Sequence, residues 1–132
     1  MSRVFADTSG FLAFLVPTDR AHPAAVEAFH RLVVRKAALV TSSYVLCETY
    51  ALLLRRYGLE RALAFRDDME PLLQVVWVDG ALHGRALDLL AARRKPRLSL
   101  VDAVSLVLMR ESAIDEAFAF DPDFEDEGVR PA

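Results

Sequence analysis

The chain alternates short apolar runs with longer stretches whose apolar positions recur every three or four residues, the pattern of buried strands followed by amphipathic helices. "VFA" at 4–6 predicts a strand that stops at Asp7, "SGFLAFLV" a short helix ended by Pro17, and "HPAAVEAFHRLVVRK" a longer helix opened by Pro23. "ALVTS" at 38–42 reads as the second strand, "SSYVLCETYALLLRRYG" at 42–58 as a helix closed by Gly58, "LERALAFRDDMEPLL" as one more helix and "QVVWV" at 74–78 as the third strand. A helix over about 80–95, a linker "RKPR", a helix begun by Ser99 through "LVDAVSLVLMRE" and a strand "AFAF" at 117–120 running into Asp121 complete the pattern, with a short last strand near Val129. Strands alternating with helices imply an α/β fold with a mainly parallel sheet covered on both faces. No repeat, low-complexity segment or long linker divides the 132 residues, so 1–132 reads as a single domain.

Composition supports a folded chain, at 54% hydrophobic and 27% charged residues. The net charge of -3 provides no global basic field, so a nucleic-acid partner would need a local groove. Of 16 basic residues only Lys36 and Lys95 are lysines, and arginine suits bidentate phosphate or carboxylate contacts. Cys47 is the single cysteine, which excludes an internal disulfide or a cysteine metal site and points to a reducing cytoplasm. Arg3 and Asp7 interrupt the first apolar stretch, no secretory segment is visible, and no run approaches the roughly 18 apolar residues of a membrane span.

The chemistry lies in the carboxylates. Glu48 has Tyr44, Val45, Ala51 and Leu52 as helical neighbours, none of them charged, and an unpaired acid among core side chains needs a partner from elsewhere. Asp102 is in the same position early in an apolar helix, although "SLVD" also forms a capping box. Asp7 and Asp121 follow strands, where each also suits a helix cap or a turn, and Asp123 lies two residues further on. In a parallel sheet the strand ends and the helix starts share one edge, so Asp7, Glu48, Asp102 and Asp121 can meet in one crevice. Clustered carboxylates repel unless a cation neutralises them, and hard oxygen donors without paired histidines suit Mg²⁺ or Mn²⁺. Metal-assisted phosphodiester hydrolysis fits that arrangement. The hydroxyls of Thr8, Ser9 and Ser99 are placed to orient a carboxylate or a water, or simply to cap helices. Glu125, Asp126 and Glu127 read as a solvated acidic tail.

The ordered set "VFADTSG", "SSYVLCET", "LSLVDAVSLVLM" and "AFAFDPDF" resembles the PIN-domain ribonucleases, and most closely the VapC-type toxins of bacterial and archaeal toxin–antitoxin pairs. The resemblance implies a three-layer α/β/α sandwich around a mainly parallel sheet, a Mg²⁺ or Mn²⁺ site and cleavage of RNA. It carries the acidic quartet onto Asp7, Glu48, Asp102 and Asp121, with Thr8 or Ser9 as an auxiliary hydroxyl and Asp123 as a further ligand. It also implies a homodimer and inhibition by a small antitoxin protein.

"RRKPR" at 93–97, with Arg31, Arg35 and Lys36, offers RNA phosphate contacts or ordinary cationic helix ends. His22, His30 and His83 lack paired ligand spacing, which argues against zinc. Cys47, Trp77 and the phenylalanines of "AFAF" read as core, without a base-stacking role. Three other readings compete: a housekeeping PIN nuclease without an antitoxin, a PIN fold that serves only for interaction, and a response-regulator receiver. The receiver would need a lysine after a late strand, where neither Lys36 nor Lys95 falls. A haloacid-dehalogenase-like phosphatase would need an aspartate where Ser9 stands.

Overall fold

β1 (Arg3–Ala6) is central: Val4, Phe5 and Ala6 are fully buried, as an apolar run covered on both faces must be. A computed structural model, which describes residues 2–132, shows how the rest assembles around it. α1 (Thr8–Leu15) and α2 (His22–Val34) lead to β2 (Ala38–Ser42), and α3 (Ser43–Arg56) follows directly. α4 (Leu59–Ala64) continues into a π-helical turn, Phe65–Met69, and a 3-10 turn, Glu70–Leu72, before β3 (Leu73–Val76). α5 (Gly80–Arg93), α6 (Leu100–Glu111), β4 (Glu116–Phe118), α7 (Pro122–Asp126) and β5 (Arg130–Pro131) complete the order. The five strands form one parallel sheet in the order β3-β2-β1-β4-β5, flanked by helices as an α/β/α sandwich.

The strand order positions the site. From β1 the chain runs outward through β2 to β3 and then returns to place β4 on the other side of β1, so the carboxyl ends of β1 and β4 flank a topological switch point, where open α/β sheets bind ligands. That edge is tied together by polar contacts. The Asp7 backbone N–H donates to the Phe118 carbonyl at 3.1 Å, and the Thr41 hydroxyl donates to the Ala6 carbonyl at 2.8 Å. Gly10 lets the first turn of α1 lie directly on β4, because a Cβ there would stand 2.1 Å from the Phe118 carbonyl oxygen. The phenylalanine core behind it, with Phe11 edge-on to Phe65 and Phe29 near Phe118, contributes about 1.5–3 kcal/mol per buried ring.

Several expectations need correction. The helix read over 59–73 breaks at Phe65. The third strand spans Leu73–Val76, one residue earlier than read and shorter, and Trp77 beyond it is 75% exposed, so it is not core. The fourth strand ends at Phe118, leaving Phe120 outside the sheet and 37% exposed. Cys47 is exposed too. Gly58 does close α3, at a φ of +95° and with its N–H on the Leu53 carbonyl at 2.9 Å. No helix among the described residues is long and apolar enough to cross a membrane.

Candidate active site

Asp7 ends β1 and caps α1. Its Oδ2 accepts from the Ser9 N–H at 3.1 Å and the Ser9 hydroxyl at 2.6 Å. The Ser9 hydroxyl in turn accepts from the Phe120 N–H at 2.9 Å, so a single side chain fastens the β1 end to the segment beyond β4. The Asp7 side chain is buried, with the residue 4% exposed, yet its Oδ1 has no hydrogen-bond partner. Burial pushes its carboxyl up to about 6, against the pull of the Ser9 hydrogen bonds, and the charges of Asp102 and Glu48 push the same way.

Asp102 occupies the first turn of α6, where it completes a capping box. Its N–H donates to the Ser99 hydroxyl at 3.0 Å, and its Oδ2 accepts from the Ser99 N–H at 3.2 Å. The cap commits Oδ2 and leaves Oδ1 uncommitted. Burial raises this carboxyl as well, opposed by the Ser99 bonds and reinforced by Asp121 and Glu48. Asp121 caps α7 through the Asp123 N–H at 2.9 Å. Asp102, Asp121 and Asp123 each present a carboxylate oxygen within 4.8 Å of the others.

The structure therefore brings the sequence-selected acids to one edge. Asp123, read as an additional member, belongs to the tight trio, while Asp7 and Glu48 lie outside it; the charge of Glu48 acts on both Asp7 and Asp102, and that of Asp102 on Asp7. Glu48 is half-buried on α3, less enclosed than a core position. Of the hydroxyls, that of Ser9 holds a site carboxylate, whereas that of Ser99 accepts from the Asp102 N–H and leaves the carboxylate to the Ser99 backbone N–H. Thr8 is turned the other way, accepting from the Thr49 hydroxyl at 3.2 Å and donating to the Val45 carbonyl at 3.4 Å.

The remaining charges sort differently. The ion pairs among the described residues use Asp67, Glu111, Asp115, Glu116 and Glu127, leaving Asp7, Glu48, Asp102, Asp121 and Asp123 without a basic partner. Glu127, expected in a solvated tail, has a side chain only 5% exposed and meets Arg93 at 3.1 Å, Lys95 at 3.0 Å and Arg110 at 2.9 Å. Burial alone would lift its carboxyl, but the bonds and charges of Lys95 and Arg93 hold it below the usual range. Two cations of "RRKPR" are therefore already paired with protein, as is Arg35 with Glu116. His83 shares a 2.6 Å hydrogen bond with Tyr44, and His22 meets the Ala13 carbonyl at 2.8 Å.

The donor set fits a divalent metal: hard oxygens only, no competing cation, and one buried oxygen with nothing to bind. A parallel sheet with an acidic crevice at its switch point defines the class, and the PIN-domain profile matches residues 4–128. The chain belongs to the PIN-domain family, and within it to the VapC type. It is 36% identical over 133 aligned residues to the 23S rRNA-specific endonuclease VapC20 of two Mycobacterium tuberculosis strains, covering 97% of this chain and 98% of the relative. It also superimposes on the crystal structure of M. tuberculosis VapC20, described as a sarcin–ricin loop cleaving toxin. The TM-score is 0.82 at 34% identity, over 96% of this chain and 95% of that one.

Sequence reasoning misplaced Phe120 and Glu127. "AFAF" read as a strand puts Phe118 and Phe120 on the same face, and only the following Asp-Pro signalled that the strand had already ended. For Glu127 no local signal existed, since its partners lie 17 to 34 residues away.

Proposed function

We propose that the chain is a Mg²⁺- or Mn²⁺-dependent endoribonuclease, the toxin of a cytoplasmic toxin–antitoxin pair, acting on the class of ribosomal RNA loop its relatives cleave. The observation that carries the reading is the gathering of acids without basic partners at one sheet edge: the Asp102, Asp121 and Asp123 trio, with Asp7 and its orphaned Oδ1 within reach of the Asp102 charge. Asp7, Glu48, Asp102, Asp121 and Asp123 would hold the cation. Bound there, a divalent ion supplies Lewis-acid polarisation of a phosphate oxygen and activation of water. The Ser9 hydroxyl fixes the Asp7 carboxylate, and the Ser99 backbone N–H fixes that of Asp102. A cognate antitoxin protein and a homodimer complete the proposal, on family grounds.

The test is cleavage of 23S rRNA, and of a synthetic hairpin carrying its sarcin–ricin loop, by purified protein. Cutting at a defined position is expected with Mg²⁺ or Mn²⁺ and none with EDTA. Asp102→Asn should lose cleavage while keeping its circular dichroism spectrum. EDTA-resistant cleavage would contradict the metal assignment, and an unfolded Asp102→Asn would return that residue to a capping role.

A further inference from the structure

Beside the acid cluster lies a groove of about 330 Å³ whose wall includes Phe120, Asp121, Pro122, Phe124, Glu125 and Arg130. Resting on the ribonuclease reading, we propose that this groove is a nucleobase subsite in which Phe120 is the stacking platform for an unpaired base next to the cleaved bond.

Three observations converge on it. The first is continuity with the acids: Asp121 lines the groove and belongs to the trio, so an occupant of the groove adjoins whatever phosphate the acids address. The second is Phe120 itself. Its backbone N–H is held by the Ser9 hydroxyl that also holds Asp7, while the residue stays 37% exposed, with its ring edge-on to Phe118 at a 6.1 Å centroid distance. An aromatic ring fixed at its backbone and open at its side chain loses little freedom on binding. The third is chemistry. Asp121 and Glu125 on the wall disfavour a phosphate inside the groove but can accept hydrogen bonds from a base amino group, and Pro122 and Phe124 add apolar surface. The volume lies at the small end of ligand sites, suited to one ring system. Arg130, whose one ion pair among the described residues is an exposed one with Asp115, can turn to the adjoining phosphate. Sequence-specific recognition of RNA loops proceeds by splaying bases onto aromatic side chains in this way.

The experiment measures binding and cleavage of the sarcin–ricin hairpin by wild type, Phe120→Leu and Phe120→Trp, with single abasic nucleotides scanned around the cleaved bond. Leucine preserves apolar packing on Phe118 but removes the aromatic face. Phe120→Leu should weaken RNA binding roughly 5- to 150-fold, mainly in KM, while Phe120→Trp restores it. One abasic position should weaken wild type and leave Phe120→Leu unaffected, as two changes to one contact do. RNA binding by Phe120→Leu equal to wild type, or abasic penalties identical in both proteins, would overturn the subsite. So would loss of Mn²⁺ binding by Phe120→Leu in calorimetry, which would make Phe120 a support for the acids. A wild-type protein that cuts neither hairpin nor rRNA would instead defeat the ribonuclease reading on which the subsite rests.

Discussion

Asp7 concentrates the chemistry at the residue scale. In the metal-free fold its carboxyl is lifted from 3.8 to about 6, chiefly by burial, so the protonated form is the one that suits the native state. Because the folded value exceeds the unfolded one, this group's stabilising contribution is complete below pH 3.8 and disappears as pH rises through about 6. At pH 7.5 the ionised group costs the metal-free protein on the order of 3 kcal/mol. Asp7→Asn removes that cost and adds a buried, unpaired amide N–H, so the metal-free variant should be roughly 1–2 kcal/mol more stable at pH 7.5, and inactive. Urea denaturation between pH 4 and 7.5 with EDTA present checks this, and a variant less stable than wild type across that range would show that Asp7 serves the fold alone.

At the element scale, α7 is the short segment on which the acid trio depends, since Asp121 caps it and Asp123 lies in its first turn. Phe124 packs it on Leu98 and Leu106, and Glu127 ties its end to Arg93, Lys95 and Arg110. Glu127→Gln should cost on the order of 2 kcal/mol at pH 7, measured by urea denaturation. With a folded value below the unfolded 4.5, this contribution is present above 4.5 and lost as pH falls through the folded value, so the difference between variant and wild type should vanish in acid. Elements such as α3 and α6 were legible in the sequence because cap, apolar period and closing residue agree locally: Ser42 and Ser99 cap them, and Gly58 follows α3. β3 and β4 were shifted by one or two residues because apolar composition continues past the last ladder bond into Trp77 and Phe120. The fate of Glu127 was illegible, because nothing near it in sequence reports a distant cluster of cations.

At the scale of the whole molecule, the sheet order places strand ends and helix starts on one edge, where Asp102, Asp121 and Asp123 meet, and the alternation of strands and helices is what points to that edge. How tightly they approach is not legible in that alternation, since Asp123 joins the trio through the turn that α7 makes. A fold that gathers like charges without basic partners is stabilised by whatever neutralises them, so a bound divalent cation must raise its stability by mass action. The most direct measurement is calorimetric titration of Mn²⁺ into the metal-free protein at pH 7.5, for wild type, Asp7→Asn and Asp102→Asn. Saturable binding by wild type, abolished or strongly weakened in both variants, is the expected result. No binding by wild type, or equal binding by all three, would contradict a cation held jointly by these carboxylates.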